Sequence, residues 1–259
     1  MDSWINTGLL PTLPVFVLIA CIISVAGFMR GFVGFGAALI TVPTLSLLIG
    51  PLVAVPVSVI IGLPASIQLL PEALRHAERP VVLPIAMSVL LATPLGALLL
   101  VSVAPGLMKI IISLLVVVMV AMLARGWSLG HAVGRRVLIG AGLAGGLVQG
   151  SAGIGGPPVV AVALSRPGEP RQQRANVLGV MTAVSISSFL PFWYHGLLST
   201  PVLVLGASLI PFNFVSTWLG SRYFSYQGER HYRYSALLVL AAVGISTLLL
   251  AVRDYAQGG

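Results

Sequence analysis

Read from the N-terminus, the chain is a series of apolar runs separated by short polar or glycine-rich breaks. Seven runs hold 18 to 20 residues each, at 11–29, 52–70, 81–100, 107–124, 177–194, 202–219 and 234–252. Each is long enough to cross the roughly 30 Å hydrocarbon core of a bilayer as a helix, so the pattern predicts an all-α, polytopic membrane protein. Three runs are shorter, at 37–49, 137–148 and 157–164. They flank two glycine-rich breaks, Arg30-Gly31-Phe32-Val33-Gly34-Phe35-Gly36 and Gln149-Gly150-Ser151-Ala152-Gly153-Ile154-Gly155-Gly156.

The two breaks match each other. Gly27, Gly31, Gly34 and Gly36 recur 119 residues later as Gly146, Gly150, Gly153 and Gly155, and Pro84 and Pro94 recur 117 residues later as Pro201 and Pro211. This register predicts a duplication, with a first transmembrane repeat over 1–125, a cytoplasmic linker over 126–136 and a second repeat over 137–259. Each repeat holds one broken segment and three long helices.

Loop charges decide how the repeats sit. If each broken segment crossed the membrane once, the bases would divide almost evenly between the two sides. If each instead enters and returns to the side it left, Arg75, Arg79, Arg125, Arg135, Arg136, Arg166, Arg171, Arg174, Arg222, Arg230 and Arg233 fall together, with only Lys109 and Arg253 opposite. The second arrangement obeys the excess of Lys and Arg in cytoplasmic loops. Length agrees, because the eight residues of 157–164 rise only about 12 Å as a helix. Each repeat then has a re-entrant hairpin plus three crossings. Three is odd, so the repeats are inverted, both termini lie outside and the two glycine-rich tips meet near the midplane. Inverted repeats with broken helices at the midplane are typical of secondary transporters.

Composition narrows the field further. Hydrophobic residues make up 58% and charged residues 8%, with a mean hydropathy of +1.05, against about 25% charged residues in an average soluble domain. Asp2 has the wrong sign for a secretory n-region, so the first apolar run is expected to be retained. Cys21 is the only cysteine, which excludes an internal disulfide and a thiolate-rich metal site. Lys109 is the only lysine and no Gly-x-x-x-x-Gly-Lys run occurs, which excludes a P-loop. His76, His131, His195 and His231 have no metal-ligand spacing, and no metal or cofactor is expected. The formal net charge of +8 reads as basic loops rather than a nucleic-acid surface, because no basic run is interleaved with aromatics. Glu72, Glu78, Glu169 and Glu229 fall in predicted cytoplasmic loops, leaving no intramembrane acid for proton coupling. The paired acids, metal cluster or nucleophile–base pair that an enzyme would need are also missing from the runs.

A helix break inside a bilayer exposes N–H and C=O groups that lipid cannot satisfy, so it is tolerated only against protein or a water-filled cavity. The stub after each break aims its positive N-terminal end at the tip, and Pro157 and Pro158 suit the first turn of such a stub. Gly34, Gly36, Gly153, Gly155 and Gly156 are therefore candidates to line an anion site, while Gly142, Gly146 and Gly150 read as helix-packing contacts. Arg30 lies at the first tip and Gln149 at the corresponding place in the second. An arginine at the bilayer centre costs about 2.5–3.5 kcal/mol on insertion scales. Two readings account for it: a fixed cation facing the anion, or an arginine snorkelling to an interface. Ser151 at the second tip and Asn176 on the next helix complete the candidate substrate-binding set. Thr182, Ser185, Ser188, Asn213, Ser216 and Thr217 are of the kind that bond neighbouring helices.

The segments Gly31-Phe32-Val33-Gly34-Phe35-Gly36, with Val42-Pro43 downstream, and Gly150-Ser151-Ala152-Gly153-Ile154-Gly155-Gly156-Pro157-Pro158 resemble the paired motifs of the sulfite exporter TauE/SafE family of membrane transporters. The second has the form Gly-x-x-Gly-x-Gly-Gly-Pro-Pro, and Arg174-Ala175-Asn176 is similar to a basic helix entry in that family. The likeness covers both halves. It departs at Gly36-Ala37-Ala38, where a glycine triplet is usual, and at Arg30, where a small or apolar residue is usual. The resemblance implies export of sulfite, sulfonates or related anions. The expectation is a secondary transporter, not an enzyme, that exports a small anion across the bacterial plasma membrane by alternating access. An anion channel and a carrier of a non-sulfur carboxylate are the alternatives. The expected partners are the anion, the lipid bilayer and a coupling ion, H+ or Na+, with no nucleic acid. The sequence leaves the oligomeric state open, a homodimer being one option.

Overall fold

A computed structural model describes residues 11–33, 36–124, 134–164, 170–224, 245, 248–253 and 256. Its helices are α1 (Leu13–Val33), α2 (Ala37–Ile49), α3 (Pro51–His76), α4 (Arg79–Ser102), α5 (Pro105–Ala124), α6 (Arg135–Ala152), α7 (Gly156–Leu164), α8 (Pro170–Ser187), α9 (Phe189–Tyr194) and α10 (Thr200–Phe224). Among the described residues there is no strand. Among the described residues, five stretches are long and apolar enough to cross a membrane: Leu13–Gly31, Arg79–Ser102, Pro105–Met122, Ala175–Tyr194 and Thr200–Arg222. Large apolar side chains such as Leu91 and Leu95 on α4 and Val215 on α10 stay exposed on the outside of the bundle, where hydrocarbon is the solvent. The predicted run 234–252 lies mostly outside the described residues.

The helix breaks are narrower than the glycine-rich stretches that announce them. Helix α1 continues through Arg30 and Gly31 to Val33, and α6 continues through Gln149 and Gly150 to Ala152. The chain resumes as α2 at Ala37 and as α7 at Gly156. Left-handed backbone serves both turns, at Gly36 (φ 100°) and Gly153 (φ 66°), a region closed to most other residues. At Gly153 the amide closes α6 by donating to the Gln149 carbonyl at 2.9 Å. Helix α7 has 9 residues and α2 has 13, so they rise about 13 and 20 Å, short of a bilayer core. The apolar run 177–194 is also divided, into α8 and α9 with Ser188 between them.

Packing crosses between the halves. The most extensive interfaces join α4 to α6 and α1 to α10. Both are glycine interfaces in which backbone meets backbone. On α1, a Cβ at Gly31 would collide with the Thr217 carbonyl, and on α10 one at Gly220 would collide with that of Phe28. On α6, a Cβ at Gly150 would collide with the Thr93 carbonyl, and on α4 one at Gly96 would collide with that of Leu147. Gly27 against Asn213 repeats as Gly146 against Val89. The hairpin residues of the two interfaces are related by the register of 119, but their partners by 124. The proline match at 117 is thus two helical turns away from the register in which the helices pack.

The buried apolar clusters follow the same division. One joins α1, α2, α3 and α10 through residues such as Ile23, Leu45, Val57 and Leu205. Another joins α4, α6, α7 and α8 through Ile85, Leu138, Val159 and Val180. A third seals α5 against α2 and the second tip, with Ile112, Leu39 and Ile154 fully buried. Between the first two bodies, α3 lies against α8.

Candidate functional site

Where α3 and α8 meet the two breaks there is a partly open cavity of about 70 Å³. It is lined by Arg30 from α1, Gly36 to Leu39 at the start of α2, Ser58, Val59 and Gly62 from α3, Gln149, Gly153 and Ile154 at the second tip, Gly156 and Pro157 from α7, and Met181, Val184 and Ser185 from α8. Among these described residues, Arg30 is the only ionisable one.

Among the described residues, Arg30 is held by α3. Its Nη2 donates to Ser66 Oγ at 2.7 Å. Gly62, one turn earlier on α3, makes room for the guanidinium, since a Cβ there would stand 3.2 Å from Nη1. Ser66 Oγ in turn lies 2.9 Å from Ser185 Oγ of α8, and Ser185 also donates to the Met181 carbonyl at 2.9 Å. A chain of hydroxyls thus runs from the guanidinium across the α3–α8 contact. Since an arginine stays protonated in proteins, the described lining of the cavity carries one fixed positive charge and no carboxylate.

Gln149 has a different task. Its Oε1 accepts the Gly155 N–H at 3.1 Å, and its Nε2 donates to Ser188 Oγ at 3.0 Å. Both ends of the amide are committed, and they fix the three-residue turn between α6 and α7. A Cβ at Gly155 would strike the Gly145 carbonyl, so that residue is needed for packing as well. The two tips are unequal donors. Pro157 and Pro158 remove two N–H groups from the first turn of α7, and the Gly155 N–H is already taken. The first turn of α2 has no proline before Pro43, and the amides of Ala37 and Ala38 belong to the turn that a helix leaves without internal partners.

The cavity brings together Arg30, Gly36, Gln149, Gly153 and Gly156 of the expected set. Gly34 lies outside the described residues. Gly155 sits behind the lining, and Ser151 Oγ donates back to the Leu147 carbonyl at 2.8 Å. Asn176 is away from the cavity, where its Nδ2 donates to Glu78 Oε2 at 3.0 Å and its Oδ1 accepts the Glu78 N–H at 2.7 Å. Ser58, Gly62, Ser66 and Met181 join the site or its supports without any local mark in the sequence, because each lies inside an apolar run. Most other polar residues bond within or between helices: Thr93 donates to Ser187 at 3.0 Å, and Asn213 to the Ile61 carbonyl at 2.7 Å.

Among the described residues, a bundle with membrane-length apolar helices, broken twice around a cavity that holds one part-buried cation, is the architecture of a membrane transport protein. The chain belongs to the sulfite exporter TauE/SafE family, which it matches over residues 19–247. Over 114 residues it is 30% identical to a protein of Cupriavidus necator described as a probable sulfite/organosulfonate exporter TauE. That stretch covers 44% of this chain and 44% of the relative, so less than half the length of the curated relative is spanned. No solved structure matches the chain.

Proposed function

We propose that this protein is a secondary transporter that exports a small sulfur oxyanion, sulfite or a sulfonate, across the bacterial plasma membrane by alternating access. The observation that carries the reading is Arg30, a cation on a membrane-length helix, facing a cavity with no carboxylate among its described lining residues. Even a part-buried charge inside a membrane helix is costly unless something negative answers it. A diffusible anion is the counter-charge that leaves. The cavity is about half the roughly 150 Å³ that houses a benzene-sized molecule. That suits an oxyanion headgroup of a few heavy atoms, with any organic tail directed through the open side. Arg30 supplies the charge, the Ala37 and Ala38 amides supply donors, and Gln149 holds the second tip.

An inverted-repeat mechanism has its own support. Ser66 and Ser185 stand 119 residues apart, the same register as the glycines, and they touch each other. Residues related by a two-fold axis meet their own counterparts only at that axis. The bodies that rock are then α1, α2, α3 and α10 against α4, α6, α7 and α8, with the cavity between them.

The test is counterflow in proteoliposomes with sulfite, methanesulfonate and small carboxylates. Saturable uptake driven by preloaded unlabelled anion is expected for sulfite and methanesulfonate. Flux that neither saturates nor shows counterflow would make the protein a channel, and a preference for carboxylates would displace the sulfur assignment.

A further inference from the structure

The charge count of the cavity sets more than the sign of its ligand. Arg30 contributes one positive charge, and the matching position of the second half, 119 residues on, holds neutral Gln149. Among the described lining residues, no other titratable group faces Arg30 from α2, α3, α6, α7 or α8. The hydroxyls supply no second charge, and their protons are engaged: Ser58 donates to the Val55 carbonyl at 2.7 Å and Ser185 to that of Met181. A singly charged ligand therefore leaves the loaded cavity neutral. A doubly charged one leaves a net negative charge among apolar neighbours such as Leu39, Val59 and Val184, where an unanswered charge is strongly disfavoured.

We infer that the cavity selects monoanions, taking hydrogen sulfite and sulfonates and rejecting the sulfite and sulfate dianions. This rests on the reading of the cavity as the transport site. The consequence is a pH dependence that belongs to the ligand and not to the protein. Hydrogen sulfite loses its proton near neutrality, whereas a sulfonate stays singly charged throughout.

Binding of methanesulfonate, sulfate and total sulfite to the full-length protein in nanodiscs, measured by calorimetry over a series of pH values at fixed ionic strength, tests this. Methanesulfonate affinity should be flat with pH. The apparent affinity for total sulfite should fall about tenfold per pH unit once the dianion dominates, and sulfate should bind at least tenfold more weakly than methanesulfonate. Sulfite affinity that holds or improves as pH rises, or sulfate binding that equals methanesulfonate, would overturn monoanion selection while leaving the oxyanion site intact. If none of the three binds at any pH, the oxyanion reading of the cavity falls and the selectivity falls with it.

Discussion

Arg30 and Gln149 hold the same place in a register of 119 but do different work, one presenting charge and the other tying down backbone. Arg30→Ala should abolish counterflow while the protein still expresses and inserts; normal flux would remove Arg30 from the site. Gln149→Leu leaves the buried Gly155 amide without its acceptor, at a cost of about 1–3 kcal/mol. A lower unfolding temperature in detergent and loss of transport are the expected result. Arg30 was legible in the sequence because a charge beside an apolar run stands out against its surroundings. Asn176 stands apart from the cavity, bonded to Glu78. Its polar side chain suits a substrate contact, but the partner that engages it, Glu78, is 98 residues away and only the fold brings them together. Ser58 and Gly62 carry no local signal, since their importance comes from the helix that faces them.

At the scale of elements, the apolar runs gave the helices, and the glycine clusters gave the places where they break. The limits of each break were hidden because glycine does two jobs with one side chain. Gly31 and Gly150 stay helical, since a partner carbonyl packs where a Cβ would be, while Gly36 and Gly153 turn the chain. The two roles predict different penalties. Gly31→Ala and Gly150→Ala drive a methyl group into backbone that cannot rotate away, so α1–α10 or α4–α6 must separate, costing about 1–3 kcal/mol or more. Gly36→Ala meets nothing within 4 Å and pays only for left-handed backbone, about 1–2 kcal/mol. Thermal unfolding of the purified variants should rank the two packing positions below Gly36→Ala; a Gly150→Ala protein as stable as the parent would refute the tight backbone contact.

For the whole molecule, the glycine register of 119 can be read in the sequence, but the pairing of helices from the first part of the chain with helices from the second cannot. Helix α1 pairs with α10 and α6 with α4, so the halves interlock and neither is a body by itself. No stretch of sequence marks such an exchange, because each helix needs only a glycine face and is indifferent to which repeat supplies its partner. The proposed motion passes through the Ser66–Ser185 contact. A Ser66→Cys, Ser185→Cys double variant on a Cys21→Ser background should therefore lose methanesulfonate counterflow on oxidation and regain it with reductant. Methanesulfonate is the right substrate here because sulfite itself cleaves disulfides. Undiminished flux in the oxidised protein would show that α3 and α8 do not move apart.

The lone guanidinium also decides where an electrical field can act. If the site carries one positive charge and takes up one negative one, the loaded carrier is neutral and reorients without feeling the membrane potential. The unloaded carrier is cationic, and returning it across the full field is worth about 2.3 kcal/mol per 100 mV. In a cell that is negative inside, that energy pulls Arg30 back toward the cytoplasm, so under the proposed export the resting voltage would work as the motor that resets the empty carrier.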